Sequence, residues 1–211
     1  AVNPKLIGTK CAAWHEIECA PGESASLEMV LARQPDGNVP AGGASVIRSR
    51  SREAEAFLDE LLPGAGEEER LIFRQAMAGM VWCKQYYGFD VARWLDGDQV
   101  SPPEERRLGR NHGWRHLRAE DVISMPDSWE YPWFAAWDLA YQAMVFAHLD
   151  VDFAKRQIEL LLDWRYLHPN GQIPAYEWSF DDVNPPVHAV AALKVFRAER
   201  KQRGRGDLGY L

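Results

Sequence analysis

Two stretches decide the reading of this chain: MPDSWEYPWFAAWDLAY, residues 125–141, and WRYLHPNGQIPAYEWSFDDVNPPVHA, residues 164–189. In both, aromatic rings stand beside carboxylates: Trp129 with Glu130, Trp137 with Asp138, and Tyr176 and Trp178 around Glu177. Proline and glycine punctuate both stretches, so the rings are placed at helix entrances and loops. A sugar needs this mixture, because its apolar face stacks on a ring while its hydroxyls bond to carboxylates and amides. The plainer reading of each Trp is core filling. The repeated pairing of ring with carboxylate, not the rings alone, favours a carbohydrate site.

Between and beyond these stretches the pattern is helical. Residues 133–149 are apolar nearly all round, with Trp137, Tyr141, Met144 and His148 on one side and Ala136, Ala140, Ala143 and Ala147 on another, as expected of an inner helix. Asp150 or Asp152 is the expected cap of the next helix. There Ala154, Ile158, Leu161 and Leu162 form a stripe opposite Lys155, Arg156 and Glu159, the signature of an outer, amphipathic helix. His168-Pro169-Asn170-Gly171 turns the chain. Asn184 followed by Pro185 predicts an N-cap with proline at the first helical position. The last helix is expected to reach about Arg200 and to end by Gly204 and Gly206. Inner and outer helices in alternation predict a mainly α fold and part of an α/α toroid.

Towards the N-terminus the period changes. Residues 13–19 alternate with period 2, as do Leu27, Met29 and Leu31, around a turn at Ala20-Pro21-Gly22-Glu23. Residues 1–35 therefore read as a hairpin at the end of a β domain, and the Gly/Pro-rich Gln34–Ala44 as the boundary to a helical domain over 36–211. A helix is expected over Ser51–Leu62, stopped by Pro63-Gly64, with β structure mostly confined to residues before about 35. Glu67, Glu68 and Glu69 favour the start of another helix through its dipole. Its apolar residues (Ile72, Phe73, Ala76, Met77, Met80, Val81) cover much of the girth, which predicts deep burial. Residues 96–129 have little periodicity, and Trp94, Trp114 and Leu117 mark them as a packed loop.

Bulk properties exclude several partners. A formal net charge of −7 over 211 residues argues against nucleic acid, and the basic run RAERKQRGRG at 197–206 is short and interrupted by Glu199. No apolar run reaches the length of a membrane span. Three cysteines, Cys11, Cys19 and Cys83, leave at least one unpaired and share no metal-type spacing, which points to a reduced, cytoplasmic setting. His112 and His116 stand four apart, but Gly113 between them breaks the helix that a metal pair requires. The acidic run in Phe180–Asn184 lacks the second acidic cluster and the basic clamp of a Mg²⁺–pyrophosphate site. Ala1 in place of Met, and a C-terminus that reads as continuing, suggest a piece of a longer protein.

The residues WEYPWFAAWDLAY, then HPNGQIPAYEW, then DVNPPVHA resemble the toroid of glycoside hydrolase family 63, and more narrowly its bacterial glucosidase-like members related to processing α-glucosidase and mannosylglycerate hydrolase. Trehalases are similar through a G-x-I-P followed by Gln-Pro-Pro. Here Gly171, Ile173 and Pro174 match, and Asn184-Pro185-Pro186 carries Asn in place of Gln. The resemblance runs from about Gln75 to Phe196. It implies an (α/α)6 barrel of the six-hairpin kind after a β domain, no cofactor, and hydrolysis of α-linked glucosides or mannosides with inversion. It further implies that Asp138 accepts hydrogen bonds from the non-reducing sugar, that Trp137 and Tyr131 shape its subsite, and that Asn184 reaches it from the Asn-Pro-Pro loop. The motifs of the general acid and general base are missing here and are expected downstream, so the chain alone should be inactive. Tyr131, Trp137, Asp138, Tyr176, Glu177 and Asn184 are expected to line one concavity. Three of them have a structural alternative: a dipole-stabilised first-turn carboxylate for Asp138, a salt bridge to an arginine for Glu177, and a helix cap for Asn184. The competing function is a non-catalytic carbohydrate-binding or scaffold module.

Overall fold

The computed structural model of the chain describes residues 4, 5, 7, 8, 12–30 and 42–211, which fall into two compact units, 1–57 and 58–211. In the first unit, residues 12–30 hold the expected turn: Gly22 takes a φ of 81° and Glu23 N donates to Ala20 O at 2.9 Å. The expected hairpin strands are absent from these described residues, all of which are exposed. A lone hairpin buries too little to hold its ladder, so alternation alone does not make one. Leu31, Cys11 and most of the 34–44 stretch lie outside the described residues. Helix α1, Gly43–Leu61, begins eight residues before its expected start and crosses from the first unit into the second. Its stop is as read, with Gly64 at a φ of 79° after Pro63.

The second unit is mainly helical. Helix α2, Glu67–Trp82, starts as its acidic first turn predicts, and the Glu69 carboxylate accepts the Gly66 N–H at 3.2 Å. Its expected deep burial is not found: no residue of α2 is buried, and Ile72 is 61% and Trp82 82% exposed. Strand β1, Lys84–Asp90, then pairs antiparallel with β2, Arg118–Ser124, in register from Lys84↔Ser124 to Asp90↔Arg118. The described β structure thus lies inside the helical region and not before residue 35. It is a two-stranded ribbon, stabilised by what packs on it. Between the strands run α3, Val91–Asp96, and two single 3-10 turns, and this connection is packed as expected: Trp114 and Leu117 are buried.

Helices α4, Ala136–Phe146, α5, Val151–Leu161, and α6, Val187–Arg203, pack on one another, and α4 also packs on β2. Ala136, Leu139, Ala140, Ala143 and Phe146 form the buried face of α4, while Trp137, Tyr141 and Val145 remain exposed. Asp150 caps α5, accepting from Phe153 N at 2.9 Å. Contrary to its reading as an outer helix, α5 is the most buried of the three, and even Lys155 is inside. Lys155 is tolerated there because its ammonium donates to Glu199 at 2.8 Å and Asp207 at 3.0 Å. Gln157, also buried, ties α5 to β2 by accepting from Ser124 N and donating to Val122 O. The α6 N-terminus differs from the sequence reading. Pro186, not Asn184, is the N-cap residue, and the helix begins at Val187. A residue before proline is pushed out of the α region, so Pro186 keeps Pro185 from starting the helix. Gly204 ends α6 with a φ of 73°, as its position suggests.

Candidate functional site

The entrance to α4 is built by stitching two separate stretches together. Ala135, extended at φ −147°, bridges to Tyr176; Ala136 N donates to Ala175 O at 2.8 Å and Glu177 N to Phe134 O at 2.9 Å. The second stretch closes on itself through Ala175 N to Phe180 O and Ser179 N to Tyr176 O. The two stretches singled out in the sequence therefore form one rim around the N-terminus of α4.

On one side of this rim lies a cavity of about 240 Å³. Trp137 and Asn184 line it, together with Gln172, Asp182 and His188. The Asn184 amide donates to Ala175 O at 3.2 Å, leaving its carbonyl oxygen as an acceptor. Its alternative role as a helix cap is not taken. Asp138 follows Trp137 in the first turn of α4 and is half-buried. Desolvation pushes its carboxyl above the usual range, against hydrogen bonds from its own backbone and the Trp137 side chain.

Neither Asp138 nor the other expected residues, Tyr131, Tyr176 and Glu177, line this cavity. The Tyr176 hydroxyl donates to Asp182, which raises its pKa. Tyr131 packs on Trp133, and Trp133 meets Trp178 edge-on, with centroids 5.1 and 5.9 Å apart. Glu177 forms an ion pair with Arg110 at 3.1 Å. Burial pushes its carboxyl upward, while Arg110 and the Tyr87 hydroxyl pull it down. So the expected single concavity is divided: Trp137 and Asn184 share the cavity, and Tyr131 and Glu177 lie with Trp133, Trp178 and Arg110.

Asn111 pins the second cluster in place. Buried, and in the left-handed region at φ 63°, it donates from Nδ2 to Glu177 O at 2.5 Å and accepts Phe180 N at 2.9 Å. Asp181, the first carboxylate of the acidic run, accepts the Trp114 indole N–H at 2.8 Å. His112 Nδ1 lies 3.0 Å from Gly109 O and His116 Nε2 2.6 Å from Leu167 O, so each imidazole is engaged with the backbone. The sequence reading missed Gln172, Asp182 and His188 as cavity residues, although the quoted motifs contain all three. It also missed Arg110 and Asn111, which no local pattern marks.

With this geometry in place, comparison with known proteins is informative. Residues 131–208 match the model of the mannosylglycerate hydrolase MGH1-like glycoside hydrolase domain. The match supports a glycoside hydrolase family, and it contains all six expected site residues along with α4, α5 and α6. Saccharomyces cerevisiae protein YMR196W, described as uncharacterized, is 43% identical over 226 aligned positions covering the whole chain. The chain spans 21%, about a fifth, of the length of that curated relative. No solved structure matches. Among the described residues no helix is long and apolar enough to cross a membrane.

Proposed function

We propose that this chain contributes the non-reducing sugar subsite of an inverting glycoside hydrolase acting on α-linked glucosides or mannosides. The observation that carries the reading is the cavity where Trp137 and Asn184 meet at the entrance of α4. At about 240 Å³ it falls below the roughly 300 Å³ lower end of drug-sized pockets, a size suited to one sugar ring. In this reading the Trp137 ring stacks on the apolar face of the pyranose, and Asp138 and the Asn184 carbonyl oxygen accept from its hydroxyls. Residues 1–35 belong to the end of a β domain and residues 36–211 to the first part of an (α/α)6 toroid. The exposed Tyr141 and Val145 on α4 are the face that further toroid helices would cover.

Inversion requires a carboxylic acid to protonate the leaving oxygen and a carboxylate to activate water across the ring, roughly 6.5–9.5 Å apart. Asp138 holds the sugar and Glu177 is ion-paired with Arg110, so neither takes these roles. The acid and base come from elsewhere in the longer protein. Full-length protein, the 211-residue chain and full-length Asp138→Asn should be assayed on α-glucosides and α-mannosides, with product anomers followed by NMR. Full-length protein should invert, the chain alone should be inactive, and Asp138→Asn should lower kcat/KM about a hundredfold or more, since an amide bonds hydroxyls less strongly than a carboxylate. Retained configuration would refute inversion. Sugar binding without turnover by the full-length protein would favour the non-catalytic module.

A further inference from the structure

Across the Ala135–Tyr176 bridge from the cavity, Trp178 sits on the turn between Glu177 and Phe180 with 51% of its surface exposed. Its surroundings are ordered on several sides. The Arg110 guanidinium lies over the ring at 4.1 Å, and the same group forms an ion pair with Glu177 at 3.1 Å. Trp133 meets the ring edge-on, at 77°. The turn is held by Asn111 at Glu177 and Phe180 and by the hydrogen bonds of Ala175 and Ser179. Trp129 and Trp164 are more exposed, at 90% and 77%, yet among the described residues neither has a neighbouring ring. Trp178 is thus an exposed ring whose orientation is fixed by its neighbours; Trp94 is held likewise by Phe89, Arg106 and Arg110, but at 36% exposure it offers less open surface.

A fixed, half-exposed indole with a cation and carboxylate at its margin is suited to a sugar ring. Stacking uses the open ring surface at little entropy cost, because the side chain is already ordered. Glu177 and Arg110, each partly exposed, supply an acceptor and donors for hydroxyls at the rim. The position is also appropriate. Trp133 is three residues from Ala136, which lines the cavity, and three residues of backbone reach at most about 10 Å.

We propose that Trp178, backed by the Arg110–Glu177 pair and edged by Trp133, is the stacking platform for a second sugar ring, so that the substrate is at least a disaccharide. The inference rests on the reading of the cavity as the subsite for the non-reducing sugar. It adds a second subsite, with Trp178 as its specificity-determining residue, and names the substrate class as an oligosaccharide or a glycoside with a pyranose leaving group.

The test uses full-length protein and titration calorimetry with methyl α-D-glucopyranoside, methyl α-D-mannopyranoside, maltose, kojibiose and α-1,2-mannobiose. At least one disaccharide should bind more tightly than its methyl monosaccharide. Trp178→Ala should weaken that disaccharide about tenfold, the order expected for losing one stacked ring, and leave the monosaccharide Kd unchanged. Trp178→Phe should recover most of the loss, and the unchanged monosaccharide Kd shows that the variant is folded. Asn184→Ala should weaken both ligands together. Equal disaccharide affinity in the wild type and Trp178→Ala would make Trp178 a packing surface and overturn the platform while leaving the cavity reading intact. Equal weakening of both ligands by Trp178→Ala would also overturn it, by making Trp178 part of the first subsite. Failure of all five probes to bind the wild type would overturn both readings.

Discussion

Helices α2 and α4 have similar sequence patterns and opposite environments. Both are apolar around much of their girth; the sequence predicts deep burial for α2 and an inner position for α4. In α4 five residues are buried, against α5, α6 and β2; in α2 none is, and it packs on the short β1. Periodic apolarity records which face needs cover and not where that cover comes from. Helix α4 finds its partners nearby in sequence, β2 before it and α5 and α6 after it, whereas α2 leaves Leu71, Ile72, Val81 and Trp82 exposed.

The contrast can be broken most directly by mutation. Phe134→Ala should destabilise the second unit by about 3–5 kcal/mol in urea titrations, because Phe134 is fully buried against Tyr87, Tyr166 and Phe180. Lys155→Met should cost roughly 2–3 kcal/mol, less than a fully orphaned charge, because Arg203 and Asp207 N still reach Glu199. The same pair predicts a pH dependence. Lys155 holds both Glu199 and Asp207 below their usual carboxylate ranges. Their contribution is therefore full above the unfolded pKa values, near 4, and is lost as pH falls through the lower folded ones. Urea midpoints between pH 3 and 7 should fall more steeply on the acid side in wild type than in Lys155→Met; parallel curves would remove this linkage.

Asp138 has the opposite sign. Its folded pKa is raised, so ionising it costs stability as pH rises through the window above the ordinary carboxylate value. Asp138→Asn should therefore be at least as stable as wild type at pH 7, even though sugar binding falls. A clear loss of thermal stability would show that the carboxylate has a structural role. The smallest effect is expected on α2: Ile72→Ser should shift the stability of this chain by no more than about 0.5 kcal/mol. A loss there as large as that of Phe134→Ala would erase the difference between the two helices. A large loss only in the longer protein would sharpen it, by showing that α2 is covered there.

What could be read from the sequence follows the same division. Helices α4, α5 and α6 were legible because period, cap and stop agree locally, as at Asp150 and Gly204. The ribbon was not. Strand Arg118–Ser124 carries three charges in seven residues, and Lys84–Asp90 sets Tyr86 outward beside the buried Tyr87, so neither strand shows clean alternation. At the site, Trp137 and Asn184 were legible through motifs because both stretches lie close together in sequence. The placement of Glu177 depends on Arg110 and Asn111, more than 60 residues upstream, and a contact that distant leaves no local pattern. The proline pair also misled, since Asn184 looks like a cap until Pro186 prevents Pro185 from entering the helix.

The junction where β1 begins offers a chemical clock. The Cys83 thiol donates to Pro126 O at 2.9 Å, and burial, followed by the charge of Asp127, pushes its pKa up. Alkylating reagents attack the thiolate, so the partly buried Cys83 reacts faster when residues 83 and 126 separate, whereas Cys19 is exposed. The interval between modification of Cys19 and of Cys83 thus times the fraying of the ribbon that carries Tyr87 to Glu177. Mass spectrometry can follow it without an added label, and a sugar seated at the rim would lengthen it.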